Sequence, residues 1–144
     1  HALCHSATEI EMGALMRRLV CAILLYALGS SSMVIAAEPT CHTHSGGPYC
    51  NYTGKVYRAY INMSKQILLY FDTHMDLNRP SSVGISGVTS AIAAIYPMTE
   101  DPDFGKALYA SLLQAQARDA TITIQMRGTS AGYLKIDRIW VNND

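Results

Sequence analysis

The residues with the most reactive side chains in this chain are Cys41, His42, His44 and Cys50, gathered within ten positions, with a third histidine of the same region at His74. Thiolates and imidazoles this close together suggest either a metal centre or a disulfide. The spacing C-H-T-H-x5-C fits no C-x-x-C or H-x3-H pattern of the kind that wraps a tetrahedral ion, which disfavours metal. An even cysteine pair in an exported chain reads as a disulfide, and Gly46, Gly47 and Pro48 supply the turn that such a short loop needs. Cys41–Cys50 is therefore the expected bridge, and no metal ligand is assigned.

Catalytic constellations are harder to find. Gly84-Ile85-Ser86-Gly87 approaches the G-x-S-x-G nucleophile elbow but lacks its second spacing. Asp101 and Asp103 are explained by the start of a helix, where carboxylates offset the partial positive charge of unpaired amides. With no acid, base and nucleophile to combine, the chain is expected not to be an enzyme and to need no cofactor. Tyrosines offer a different chemistry. Tyr49, Tyr52, Tyr57, Tyr60, Tyr70, Tyr96, Tyr109 and Tyr133, with Trp140, supply flat amphipathic rings that stack on sugars or anchor protein partners. Most such rings in a small β domain line its own faces, so the candidate ligand surface is confined to the strand faces carrying Tyr60 and Tyr70 and to the long loop around Asn78. Asn51-Tyr52-Thr53 and Asn62-Met63-Ser64 fit the N-glycosylation pattern, which is short enough to arise by chance.

The formal net charge is 0, and basic and acidic residues also balance over 38–144. No basic patch exists to release counterions from a polyanion, so nucleic acid is not an expected partner. Met16-Arg17-Arg18, the apolar run 19–28 and the small residues leading to Ala36 and Ala37 read as a signal peptide over 16–37. The apolar run is too short for a membrane span, and Cys21 follows Arg18 too closely for lipid attachment. Export to the periplasm or the medium is expected, with no stable membrane insertion after cleavage. Residues 1–15 carry neither periodicity nor motif and are expected to be an upstream extension outside the fold. Residues 38–54 are expected to form a disulfide collar and 55–144 one small domain.

The elements that would position these side chains follow from periodicity. Residues 55–63 alternate as a half-buried strand and 66–72 follow after Ser64-Lys65, which predicts a hairpin. Residues 73–87 have the composition of a long surface loop. Val88 to Tyr96 reads as a third strand ending at Pro97. Asp101 caps a helix over 102–117, with Pro102 at its first position and Phe104, Leu108, Ser111, Leu112 and Ala115 as its apolar stripe. Ile122, Ile124 and Met126 alternate inward along 121–126. In the last strand Leu134 and Ile136 are out of phase with Ile139 and Val141, which predicts a β-bulge near Asp137 or Arg138.

Three strands, one helix and two strands give a mostly β, α+β domain. This order matches a five-stranded OB-like barrel whose helix plugs one end, and an open sheet with one covering helix uses the same elements. Gly54-Lys55-Val56, the helix opening Pro102-Asp103-Phe104 with Lys106 to Leu113, and the ending Gly132 to Ile136 resemble small exported OB-like proteins of proteobacteria. The exported chain with an N-terminal cysteine loop, a Pro-capped helix and two closing strands is similar to the B subunits of pentameric A-B toxins. That resemblance implies glycan binding and a homo-oligomer, although no ligand residue of the family falls on a position here. The expected function is an exported, non-catalytic binding module recognising a glycan or protein partner. An envelope or secretion-apparatus scaffold acting through oligomerisation is the alternative.

Overall fold

The computed structural model describes residues 37–142. The expectations for 1–15 and for the signal peptide at 16–37 fall, save for Ala37, outside them. Along the described chain run β1 (Thr40–His42), β2 (Tyr49–Lys55), β3 (Arg58–Ile61), β4 (Gln66–Tyr70), α1 (Asn78–Ser82), β5 (Ala93–Pro97), α2 (Pro102–Ala117), β6 (Thr121–Ser130) and β7 (Tyr133–Val141). The strands form one mixed sheet in the order β1-β2-β6-β7-β5-β4-β3. Only β5 and β7 pair in parallel; the other neighbours are antiparallel.

Helix α2 forms where its signals predict. Asp101 is extended at φ −145°, and its Oδ1 accepts from the amides of Asp103 and Phe104 at 3.0 Å each. Leu108, Leu112 and Ala115 of its stripe are fully buried. They meet the inward side of every strand from β2 to β7 except the short β3: Tyr52, Ile67, Leu69, Ala94, Tyr96, Ile122, Ile124, Met126, Leu134 and Ile136 belong to the same core cluster. Ala59 of β3 packs against that cluster as well. The alternation of β6 is as read, with Ile122, Ile124 and Met126 all at 0% exposure. The predicted bulge is also present. Ile136 pairs with Met126 but Arg138 with Gln125, which leaves Asp137 as the extra residue. That slip returns Ile139 and Val141 to the core side, because a one-residue shift exchanges the two faces of a strand.

The sheet is strongly curled. β2 and β3 are separated only by Val56 and Tyr57, a link that spans about 10 Å at full extension. Yet they lie five inter-strand spacings apart in the ladder, roughly 24 Å across a flat sheet. Curling brings the two sides together around the core, and α2 accordingly touches both β3 and β7.

Several expectations are corrected. The predicted count was five strands in a barrel; the structure has seven in a sheet whose ladder ends at β1 and β3 without pairing them to each other. The extra strands come from residues expected to form a separate collar. Cys50 and Tyr52 alternate into the core, and β2 pairs along its length with β6, so 38–54 is part of the sheet. The single strand expected over 55–63 breaks at Val56-Tyr57, where Val56 turns inward and Tyr57 is 68% exposed. Residues 73–87 are not wholly irregular, since α1 lies within them and buries Pro80. The third strand begins at Ala93 rather than Val88. Residues 89 and 90 are instead drawn to the β6–β7 turn, where the amides of Thr89 and Ser90 donate to the Gly132 carbonyl at 2.8 and 3.0 Å.

Candidate binding face

Strand pairing sets two cross-strand rows on the outer side of the curl. Tyr60, Leu68, Ile95 and Lys135 stand opposite one another across β3, β4, β5 and β7, and Arg58, Tyr70 and Ala93 form the neighbouring row. Among the described residues no helix covers this side, yet Leu68, Ala93 and Ile95 are 6%, 1% and 1% exposed. They form a second, smaller apolar cluster against which Tyr70 and Tyr133 pack. Long side chains close over short ones, and the aromatic rings are thereby held on an apolar bed instead of moving freely in water.

Polar groups frame the bed. The Arg58 guanidinium lies 3.9 Å from the centre of the Tyr70 ring, within cation–π range. Among the described residues no carboxylate pairs with Arg58. Lys135 is engaged, its Nζ 2.9 Å from Glu100 Oε2. Tyr60, 42% exposed, offers the most accessible ring of the two rows. The arrangement has stacking surface, a cation and hydroxyls, but no nucleophile beside a base.

The residues singled out in the sequence divide accordingly. Tyr60 and Tyr70 share this face. Asn78 does not join them: it lies on α1, which touches β1 in the other half of the sheet, and its amide and side chain are tied to Asp76 Oδ1 at 2.9 and 3.0 Å. Cys41 and Cys50 face each other across β1 and β2 and form a disulfide. His42 and His44 flank the Tyr49 ring at 5.3 and 6.2 Å, and His44 Nδ1 accepts from the Gly46 amide at 3.0 Å. The Arg127 side chain closes this loop by donating to the Gly46 carbonyl at 2.6 Å. His74 and Ser86 are exposed and lie in the connection between β4 and β5. Among the described residues no group of His, Cys, Asp and Glu is placed to hold a metal ion.

Two tyrosines are perturbed and both serve the core. Burial first, then the hydrogen bond to Asp72 and that carboxylate's charge, push the Tyr52 hydroxyl far above the ordinary tyrosine range. Burial, then the charges of Asp101 and Glu100, raise Tyr96 as well. Leu68, Ile95 and Tyr133 are the members of the face that sequence reading missed. Leu68 enters through the β3–β4 pairing, whereas the meeting of Ile95 with Tyr133 depends on the β5–β7 parallel pairing, for which local alternation carries no signal. No protein family, curated protein or solved structure matches the chain.

Proposed function

We propose that this protein is an exported, non-catalytic binding module that recognises a glycan through the outer face carrying Arg58, Tyr60 and Tyr70. The observation that carries the reading is the pair of cross-strand rows in which Tyr70 packs on a buried apolar bed and Tyr60 stands exposed beside it, with no helix of the described residues over them. Half-exposed tyrosine rings match the apolar faces of sugars, and the N–H donors of Arg58, which no described carboxylate holds, match their hydroxyls. In the same reading, 49–61 acts as one bent strand that serves both sides of the curled, unclosed sheet. The two-residue link between β2 and β3 and the reach of α2 to both β3 and β7 support this. The Cys41–Cys50 disulfide is compatible with a periplasmic or secreted location.

Glycan-array binding by the protein and by Tyr60→Ala tests the proposal. The expected result is binding by the parent and a loss of about ten-fold or more in the variant, in line with one stacked ring. Absence of binding to any glycan would set it aside. The second reading, a scaffold that works through self-association, is favoured by one stretch. Tyr57, Ile61 and Met63 are 68%, 41% and 102% exposed beside the unpaired edge of β3. Exposed apolar side chains on a free strand edge invite another strand. Light scattering read together with the glycan array separates the two, since an oligomer that binds no glycan favours the scaffold, whereas glycan binding at either mass favours the binding module.

A further inference from the structure

Beyond the outer face, a cleft of about 540 Å³ opens where the tip of the β3–β4 hairpin meets the start of α2. Its apolar walls come from Ile61, Met98 and Pro102, and Lys65 and Lys106 border it. We infer that this cleft is a binding site for a compact organic anion, whose charged head lies between the two ammonium groups and whose apolar body rests on Met98. The inference is independent of the glycan reading of the outer face.

The cleft is built before any ligand arrives. The amide of Met98 donates to the Lys65 carbonyl at 2.8 Å, which ties the hairpin tip to the segment preceding α2. Met98 itself sits where Gly105 has no side chain, because a Cβ there would lie 2.8 Å from Met98 Cγ. A pocket fixed in this way costs little ordering on binding.

The charge pattern identifies the ligand class. Among the described residues no carboxylate lines the cleft. Lys106 pairs, among the described residues, with Asp103 alone, 3.0 Å away, and both side chains are largely exposed, so the pair exchanges readily for a better acceptor. The first amides of α2 are not available to an anion, because the Asp101 carboxylate already occupies those of Asp103 and Phe104. The two lysines are left as the anion's partners.

Lys65 also stands where the backbone would prefer another residue. Its amide donates to the Asn62 carbonyl at 3.0 Å, closing a tight turn, and its φ is 57°. A turn followed by a left-handed residue is the common three-residue hairpin, and glycine suits the left-handed position because it has no Cβ to clash. A lysine there gives up stability that glycine would supply, and the ammonium over the cleft is what the chain gains.

Fluorescence titration of the protein with anilinonaphthalene sulfonate, an aromatic organic anion, tests the site, with amide NMR shifts to locate it. One saturable site is expected, with shifts centred on Met98, Thr99 and Lys106. Lys106→Gln should weaken the probe about three-fold or more, as should 0.5 M salt, roughly the regime in which exposed charges are screened. Lys65→Gly is the decisive variant, because it relieves the left-handed strain and cannot fail for want of folding. It should raise the Tm while weakening the probe about three-fold or more. Unchanged affinity in Lys65→Gly, shifts centred on Tyr60 and Tyr70, or no binding of the probe would each overturn the inference.

Discussion

Leu112 and Leu113 are neighbours on α2 with the same side chain, and they differ only in the direction they face. Leu112 is fully buried in the core and Leu113 is 44% exposed. Leu112→Ala removes three carbons from water-free surroundings, at ~0.8 kcal/mol each, or ~2.4 kcal/mol of lost transfer energy. The space left behind adds a cavity cost because the curled sheet around it cannot fully collapse, and the total for a buried leucine is ~3–5 kcal/mol. At Leu113 nearly half of the side chain is already hydrated and no closed cavity forms, so Leu113→Ala should cost ~1 kcal/mol or less. Urea unfolding with the disulfide intact reads the difference directly. For a slope of ~2 kcal/mol/M, Leu112→Ala should lower the midpoint by ~1.5 M or more and Leu113→Ala by ~0.5 M or less, with slopes unchanged. Equal costs at the two positions, or a cost below ~1 kcal/mol at Leu112, would show that α2 does not close the core as described.

Two further outcomes follow from the same core. The Tyr52 hydroxyl donates to Asp72 Oδ1 at 2.8 Å, and its pKa is raised in the folded state. A raised pKa stabilises below the unfolded tyrosine value of ~10 and is lost as pH climbs from there toward the folded value. Tyr52→Phe should therefore be less stable than the parent by ~1–2 kcal/mol near neutral pH, and this gap should narrow above pH ~10. Parallel stability curves across that window would contradict the assignment. Reduction of Cys41–Cys50, which are nine positions apart, should lower the unfolding free energy by ~2–3 kcal/mol, and parallel denaturant curves with and without reductant measure it.

What could be read from sequence was local. The Asp101 cap, the stripe of α2, the alternation of β6 and the phase break at Asp137 each lie within a few residues of the contacts they produce. The β3–β4 hairpin was legible for the same reason, and with it the shared face of Tyr60 and Tyr70. Legibility failed where pairing is remote or composition misleads. Cys50, Tyr52 and Gly54 alternate as a strand should, but they follow a Gly-Gly-Pro turn, and their partner is β6, far along the chain. Residues 78–82 carry Pro80 and no side-chain cap, so nothing local announces α1. The bed under the candidate face needs β5 beside β7, and the role of Lys65 depends on a left-handed backbone that no residue type specifies.

The pairing of β2 with β6 also governs the order in which the domain can assemble. Thr53 and Thr123 face each other across that ladder, 70 residues apart in sequence. Strands β3, β4 and β5 meet through shorter separations and can associate early, whereas β2 has only its hairpin partner β1 until β6 has been made. Closing so large a loop is entropically slow, so the N-terminal strands should dock late in folding. Until then Cys50 and Tyr52 remain outside the core, and a chain ending before Thr121 would keep an open strand edge prone to pairing with other molecules.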